Sequence, residues 1–252
     1  MKLDLILSGV GGQGILSIAY LIDAAALNIG LNVKQAEVHG MSQRGGGVYS
    51  HLRLSSSAIM SDLIPDGKAD MILSMEPLEV GRYLNSLHRD AVVISSSTQF
   101  INIPNYPDEQ SLMRSLFRLG KVMLVDAKAI ALKAGAPLAQ NVAMAGFATP
   151  YLPFGRKDFA PVIESLFSRK GERVVNANLQ ALDFGIASGE FFHGLLQAGV
   201  SAQNAFFVLR SIDPALVTPE AVPQFAKIML ESAYQLAAPL GENLKCDASI
   251  LG

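Results

Sequence analysis

Two glycine-rich stretches contain the residues of this chain that are best suited to binding chemistry. The first, Gly9-Val-Gly-Gly-Gln-Gly14, has glycines at positions 9, 11, 12 and 14. The second runs from Glu37 to Gly47 as Glu-Val-His-Gly-Met-Ser-Gln-Arg-Gly-Gly-Gly. Glycine lets a backbone approach a ligand closely, and successive backbone amides hold anions. Both stretches therefore indicate contact with a ligand or with a partner chain.

The first stretch fits the G-x-G-x-x-G pattern through Gly9, Gly11 and Gly14. It follows a short apolar segment and precedes a helical one, which is the context in which a pyrophosphate binds at a helix N-terminus. The same glycines also make a tight strand-to-helix turn, so the pattern alone is weak. Glu37 is the acidic candidate for a ribose contact, and it lies late in the second strand. Dinucleotide binding is therefore an alternative and not the leading hypothesis.

The second stretch is the more specific one. Arg44 stands beside three glycines, and its guanidinium can make a forked contact with a carboxylate or a phosphate. The polar residues near it follow a strand end, where open α/β sheets bind ligands; a plain surface loop with a solvated arginine is the alternative. No catalytic residue is predicted, because nothing places an acid to orient His39 beside Ser42. The predicted binding residues are Gly9, Gly11, Gly12, Gly14, His39, Gly40, Met41, Ser42, Gln43, Arg44, Gly45 and Gly46.

The composition narrows the classes of function. The chain has 252 residues, of which 50% are apolar and 17% are charged, and these values predict a compact globular protein. A net charge of -2 gives no reason to expect nucleic acid or an anionic membrane. No apolar run approaches the length of a membrane span, so we expect a cytoplasmic protein. The single cysteine, Cys246, is too few thiolates for an internal disulfide, an iron–sulfur cluster or a cysteine-based zinc site.

The elements that must position these stretches alternate between strands and helices. Strands are predicted over residues 3–8, 32–38, 48–54, 71–75, 91–95 and 121–126, and helices over 15–29, 77–87, 108–119, 127–133, 141–152, 158–168 and 174–188. A tight hairpin is indicated only around residues 55–57. The pattern predicts a doubly wound α/β domain with a mostly parallel, Rossmann-like sheet in three layers. Residues 190–252, with helical segments at 191–197, 202–211 and 219–238, are predicted to form an α-helical appendage to a domain of residues 1–189.

The two glycine-rich stretches, in this order, closely resemble the sequences of one protein family. The first motif, followed by Glu37-Val-His-Gly-Met-Ser-Gln-Arg-Gly-Gly46 and Ser50-His-Leu-Arg53, is similar to the γ-type subunits of 2-oxoacid:ferredoxin oxidoreductases. Within that family the chain is most similar to the β subunits of indolepyruvate ferredoxin oxidoreductases. Further matches are Ile64-Pro65, Ala69-Asp70, Glu76-Pro-Leu-Glu79, Asp126, Asn141 and Gly146, and the resemblance covers residues 1 to about 187.

The resemblance implies a division of labour between subunits. A catalytic α-type partner would carry thiamine diphosphate and iron–sulfur clusters, decarboxylate the 2-oxoacid and pass electrons to ferredoxin, and coenzyme A would accept the acyl group. This chain would bind none of these cofactors alone, would have no activity alone and would pack against the catalytic subunit, near coenzyme A in some relatives. Self-association of the isolated chain is then expected. The alternatives are a free-standing dinucleotide-dependent oxidoreductase and a purely structural scaffold subunit.

Overall fold

The computed structural model describes residues 1–39 and 45–231, without the side chains of residues 38 and 39. Six strands form one sheet in the order β2-β3-β1-β4-β5-β6. The strands are β1 (Lys2–Val10), β2 (Asn32–His39), β3 (Gly47–Ser55), β4 (Ala69–Ser74), β5 (Leu87–Ser96) and β6 (Val122–Val125). The predicted strands are all present. The short apolar strand β6 is wholly buried, as expected for a strand of a covered parallel sheet.

Strand β3 departs from the parallel arrangement. It lies between β1 and β2 and is antiparallel to both, whereas β1, β4, β5 and β6 are parallel to one another. The predicted alternation within β3 is confirmed, because Ser50, Leu52 and Leu54 are all buried on one face. The β2–β3 hairpin itself escapes prediction, since its connection is much longer than the two-residue turns that carry a sequence signature.

Eight α-helices lie in the part of the chain that the structure describes: α1 (Ile15–Asn28), α2 (Glu109–Phe117), α3 (Ala127–Lys133), α4 (Gln140–Phe147), α5 (Arg156–Phe167), α6 (Glu172–Gln197), α7 (Ala202–Ser211) and α8 (Val222–Glu231). As predicted, Asp108 caps α2, and its side chain accepts a hydrogen bond from the Ser111 amide. The segment predicted as a helix over 77–87 is a 3-10 helix, Glu79–Ser86. It packs on the face of the sheet opposite α1, where the Tyr83 and Tyr49 rings lie 4.8 Å apart.

Helix α6 is one helix of 26 residues where the sequence predicts two. Two glycines within this helix allow close packing against α4. A Cβ on Gly185 would lie 2.3 Å from the Ala143 carbonyl oxygen, and one on Gly189 would lie 2.4 Å from that of Phe147. The boundary predicted after residue 189 falls inside this helix.

The described residues beyond α6 are helical, as predicted, and they share the core of the sheet. Helix α7 packs against β6, and its Phe206 ring lies 5.9 Å from Phe117. Helix α8 returns to α6, where Phe225 meets Phe191 edge-on at 5.5 Å. Residues from β1 to α8 belong to one continuous buried cluster. The α/β fold with C-terminal helices is confirmed.

Candidate functional site

The carboxyl ends of β1 and β4 lie side by side near the middle of the sheet. After β1 the chain moves to β2 on one side, whereas β4 extends the sheet on the other side. In open α/β sheets, ligands bind in the crevice outside the strand ends at such a switch point. The first glycine stretch follows β1, and the second connects β2 to β3, so both lie at this edge.

The first glycine stretch is a tight turn that satisfies several of its own backbone groups. The Val10 amide donates to Gln13 Oε1 at 2.8 Å, and the Gln13 amide donates to the Val10 carbonyl at 3.0 Å. Gln13 Nε2 in turn donates to the Met75 carbonyl at 3.4 Å, which ties the turn to the end of β4. The Gln13 side chain therefore stabilises the turn and links it to β4.

The glycines of this turn have conformational and packing roles. Gly12 and Gly14 adopt left-handed φ values of 104° and 81°, which other residues rarely adopt. Gly9 is required by packing, because a Cβ there would lie 2.6 Å from Ile15 Cδ1 and 2.9 Å from Gln13 Oε1. These roles account for Gly9, Gly12 and Gly14 without a ligand, and a binding role for them stays a prediction.

The two glycine stretches are joined by a backbone hydrogen bond. The Gly11 amide donates to the Gly46 carbonyl at 2.9 Å. His39 ends β2 and pairs with Val48 of β3. The structure thus brings Gly9, Gly11, Gly12 and Gly14 together with Gly45 and Gly46. The predicted residues Gly40, Met41, Ser42, Gln43 and Arg44 lie outside the described residues.

Two buried carboxylates stand directly behind this crevice. Glu76 and Glu79 follow β4 and are 1% and 3% exposed. Burial raises the pKa of the Glu76 carboxyl, and hydrogen bonds from Tyr106 and from backbone amides oppose that rise. Glu76 Oε2 accepts from the Glu79 amide at 3.0 Å. The sequence analysis includes these two acids only as part of a family motif. Their position directly after a buried strand is the feature that could have identified them as residues of the site.

Glu79 lies against the second glycine stretch. A Cβ on Gly47 would lie 2.7 Å from Glu79 Oε2, so no larger residue fits there without movement. Arg82 lies on the solvent side, with its Nε 2.9 Å from the same oxygen. Arg82 therefore offsets the charge of the buried carboxylate.

The segment after β5, residues 97–106, crosses the same edge and is here called the β5 strap. Asn102 Nδ2 donates to the Gly45 carbonyl at 2.6 Å. The Tyr106 hydroxyl makes a short hydrogen bond to Glu76 Oε1, and burial together with this bond raises the pKa of the Tyr106 phenol. Sequence reasoning missed Asn102 and Tyr106, because a loop residue that contacts a distant backbone carries no local pattern.

The Ser50-His-Leu-Arg53 motif has structural partners. Arg53 forms a bidentate pair with the buried Asp4, with Nε–Oδ1 and Nη2–Oδ2 distances of 2.8 and 3.1 Å. Its Nη1 donates to the carbonyls of Ser61 and Leu63. His51 Nδ1 accepts from the Ile64 amide at 3.0 Å. The motif thus fastens residues 61–64 to the sheet.

Glu37, the candidate ribose acid, lies beside another carboxyl group. It accepts a hydrogen bond from Gln35 Nε2 at 2.8 Å. Asp23 on α1 is near it, and burial, followed by the charge of Glu37, raises the pKa of Asp23 to about 7. The structure therefore places Glu37 in an acidic cluster beneath α1.

Within residues 1–39 and 45–231, no helix is both long and apolar enough to cross a membrane. Over the same residues, no three His, Cys, Asp or Glu side chains are arranged to hold a metal ion.

Sequence comparison identifies the relatives of the chain. Residues 4–188 match the family model described as pyruvate ferredoxin/flavodoxin oxidoreductase. The indolepyruvate oxidoreductase subunit IorB of Archaeoglobus fulgidus is 37% identical in an alignment of 194 residues that covers 73% of this chain and 94% of that protein. IorB of Pyrococcus horikoshii is 34% identical over 197 residues, covering 74% and 96% of the two chains.

Solved structures support the fold. The pyruvate oxidoreductase subunit PORC of Thermotoga maritima superposes with a TM-score of 0.57 at 22% identity, covering 73% of this chain and 95% of that one. A 2-oxoglutarate:ferredoxin oxidoreductase from Magnetococcus marinus, solved with 2-oxoglutarate, coenzyme A and succinyl-CoA bound, gives a TM-score of 0.60 at 16% identity. It covers 92% of this chain and 42% of that one.

The resemblance inferred from the two glycine motifs is therefore confirmed. The family match takes in both motifs and most of the sheet, and the relatives named IorB are covered almost completely. The chain belongs to the pyruvate ferredoxin/flavodoxin oxidoreductase family, as an IorB-like small subunit of an oxidoreductase.

Proposed function

We propose that the chain is the non-autonomous small subunit of a cytoplasmic indolepyruvate-type 2-oxoacid:ferredoxin oxidoreductase. The partner subunit carries thiamine diphosphate and iron–sulfur clusters, decarboxylates the 2-oxoacid and passes electrons to ferredoxin, while coenzyme A accepts the acyl group. The observation that carries this proposal is the identity of 37% and 34% to IorB subunits along nearly their whole length.

The residues of this chain do not fit the redox cofactors. Iron–sulfur clusters are held by several cysteine thiolates, and the sequence has one cysteine. A thiamine fingerprint would begin with Gly-Asp-Gly, and Pro65-Asp66-Gly67 does not supply it. The role of this chain in catalysis is therefore to shape a binding surface and to support the partner.

We place that surface at the crevice of the two glycine stretches. It lies at the switch point of the sheet, and a hydrogen bond joins Gly11 to Gly46 within it. Arg44 is the cation of the second stretch and would contact a coenzyme A phosphate or an acidic side chain of the partner subunit. The Magnetococcus marinus neighbour with coenzyme A bound supports the choice of ligand for the complex.

Apolar surface supports a role within a complex. Leu16, Tyr20 and Leu27 are 49%, 50% and 58% exposed on α1, and their spacing puts them along one side of the helix. Ile101 of the β5 strap is 73% exposed. A chain that works only beside a catalytic subunit needs such a face, and the isolated chain should self-associate through it.

A free-standing dinucleotide enzyme is the second candidate, because the Gly9–Gly14 pattern follows a strand and opens a helix. The geometry weakens this candidate. The amides of Val10, Gly11 and Gln13 donate to protein acceptors, whereas a pyrophosphate site needs such donors to face the ligand. A scaffold role without ligand contact is the third candidate.

Reconstitution tests the proposal. The purified chain, its catalytic α-type partner and the mixture are each assayed anaerobically for 2-oxoacid-dependent, coenzyme A-dependent reduction of ferredoxin. We expect no turnover and no iron–sulfur absorbance from this chain alone, and turnover by the complex. Turnover by the chain alone would refute the proposal, and so would a low-micromolar NAD or FAD site that Gly11→Val abolishes.

A further inference from the structure

The β5 strap is held at both ends of its course across the crevice. At its start, the Ser97 amide donates to the Val125 carbonyl at 2.8 Å, which anchors the strap to the end of β6. At its far end, Tyr106 bonds to Glu76. Between these anchors, Asn102 reaches the Gly45 carbonyl at 2.6 Å. The strap is therefore anchored on both sides of Asn102, the residue that contacts the second glycine stretch.

Glu76 connects the strap to the 3-10 helix. One of its carboxylate oxygens bonds to the Tyr106 hydroxyl and the other accepts the Glu79 amide at 3.0 Å. This bond fixes the first turn of the 3-10 helix. The Glu79 side chain is thereby held against Gly47.

Gly45–Gly47 is thus held on three sides. Asn102 bonds to the Gly45 carbonyl, the Gly11 amide bonds to the Gly46 carbonyl, and the Glu79 carboxylate fills the space beside Gly47. Three successive glycines have large conformational freedom, and ordering them costs more entropy than ordering other residues. Contacts that order them before binding increase the affinity of a site.

We propose that Asn102 and Glu79 are positioning residues that preorganise Gly45–Gly47 for the ligand of the crevice. The inference rests on the proposed function, because it takes coenzyme A as that ligand. Neither side chain needs to touch coenzyme A. Loss of either contact weakens coenzyme A binding and leaves the chemistry on the partner subunit intact.

The main test uses the assembled complex with Asn102→Ala. A lost hydrogen bond of this kind should raise the KM for coenzyme A about fivefold to tenfold, with kcat within about twofold of wild type. Asn102→Gln keeps an amide donor and should restore part of the affinity. Asn105→Ala changes an exposed asparagine of the same segment and is the matched control. Glu79→Ala should raise the same KM, because it empties the space beside Gly47 that the carboxylate fills.

Hydrogen exchange distinguishes failure of this inference from failure of the proposed function. In the complex without coenzyme A, the Gly45–Val48 amides should exchange faster in Asn102→Ala than in Asn105→Ala. Unchanged exchange would overturn the positioning role. Faster exchange with an unchanged KM would show that Asn102 orders these glycines and would overturn the assignment of the crevice to coenzyme A. A fall in kcat with no change in KM would also contradict the inference.

Discussion

The Glu79 carboxylate occupies the space that a side chain at position 47 would need, since a Cβ on Gly47 would lie 2.7 Å from Glu79 Oε2. Both residues belong to motifs that the sequence places far apart. Their contact joins the end of β4 to the start of β3. It gives the third glycine of the triplet a packing role even though its φ is not left-handed.

Gly47→Ala should therefore destabilise the chain. Overpacking of this kind costs about 1–3 kcal/mol, measured as a lower urea midpoint with an unchanged m-value. The control is Gly81→Ala in the neighbouring 3-10 helix, where a Cβ would meet nothing within 4 Å. Glu79→Ala should relieve the strain in a double-mutant cycle. Equal midpoints for the two alanine variants would contradict the contact.

Arg53→Ala should cost about 3 kcal/mol or more of unfolding free energy, because it leaves the fully buried Asp4 with one cationic partner, Lys2, and frees the 61–63 carbonyls. Urea denaturation measures the loss. Arg156→Ala is the matched control: it removes an equally bidentate pair with Asp183, but both side chains are exposed, so its cost should stay below about 1 kcal/mol. Similar losses for the two variants would show that burial of Asp4 does not matter.

Stability should fall as the pH rises from about 4 to about 7, through Asp23. Burial, followed by the charge of Glu37, raises the pKa of Asp23 to about 7, from its ordinary value of 3.8. The folded chain therefore binds a proton in this range that the unfolded chain has lost. Asp23→Asn should flatten the slope, measured as urea midpoints at several pH values. Glu37→Gln should move the slope to lower pH.

Asp213→Asn is the control for that experiment. Lys133 lowers the pKa of Asp213, so this group is ionised in both states over the same range and should leave the slope unchanged. If Asp23→Asn keeps the wild-type slope, Asp23 is not the titrating group.

Arg44→Ala should raise the KM for coenzyme A, or weaken assembly with the partner subunit, by about tenfold or more. A charge-assisted contact contributes roughly 1.5–3 kcal/mol. The melting temperature of the isolated chain should stay nearly unchanged. Arg44→Lys should rescue only part of the loss, since an ammonium cannot make the forked contact. Arg169→Ala is an exposed control. Wild-type turnover of the Arg44→Ala complex at limiting coenzyme A would exclude the role assigned to Arg44.

The sequence predicts elements well where local chemistry decides them. The bounds of α3 and α7 agree with the prediction, and the Asp108 cap is confirmed. The prediction fails where contacts between residues distant in the sequence determine the structure. The sequence predicts one helix that ends at residue 188 and another from 191, but α6 is continuous and its Gly189 is a point of close approach to α4. The antiparallel position of β3 depends on a long connection that carries no turn signature.

The candidate site, like the fold, is only partly predictable from the sequence. The two glycine stretches are visible in the sequence because their residue types are unusual. The hydrogen bonds that join them, Gly11 to Gly46 and Asn102 to Gly45, connect residues from different segments. No local pattern reports such a bond. Burial of Glu76 and Glu79 is likewise a property of the packed sheet edge.

Helix α6 has a consequence for how this protein is divided into fragments. It begins within the residues that match the family model, which end at 188, and runs on to Gln197. Phe191, Phe192 and Leu195 on its last turns are all fully buried. A recombinant chain that stops at the edge of the family match would lack these three side chains and would expose core residues that they cover, such as Phe147 beneath Phe192, so fragments for biochemical work should extend at least through α8.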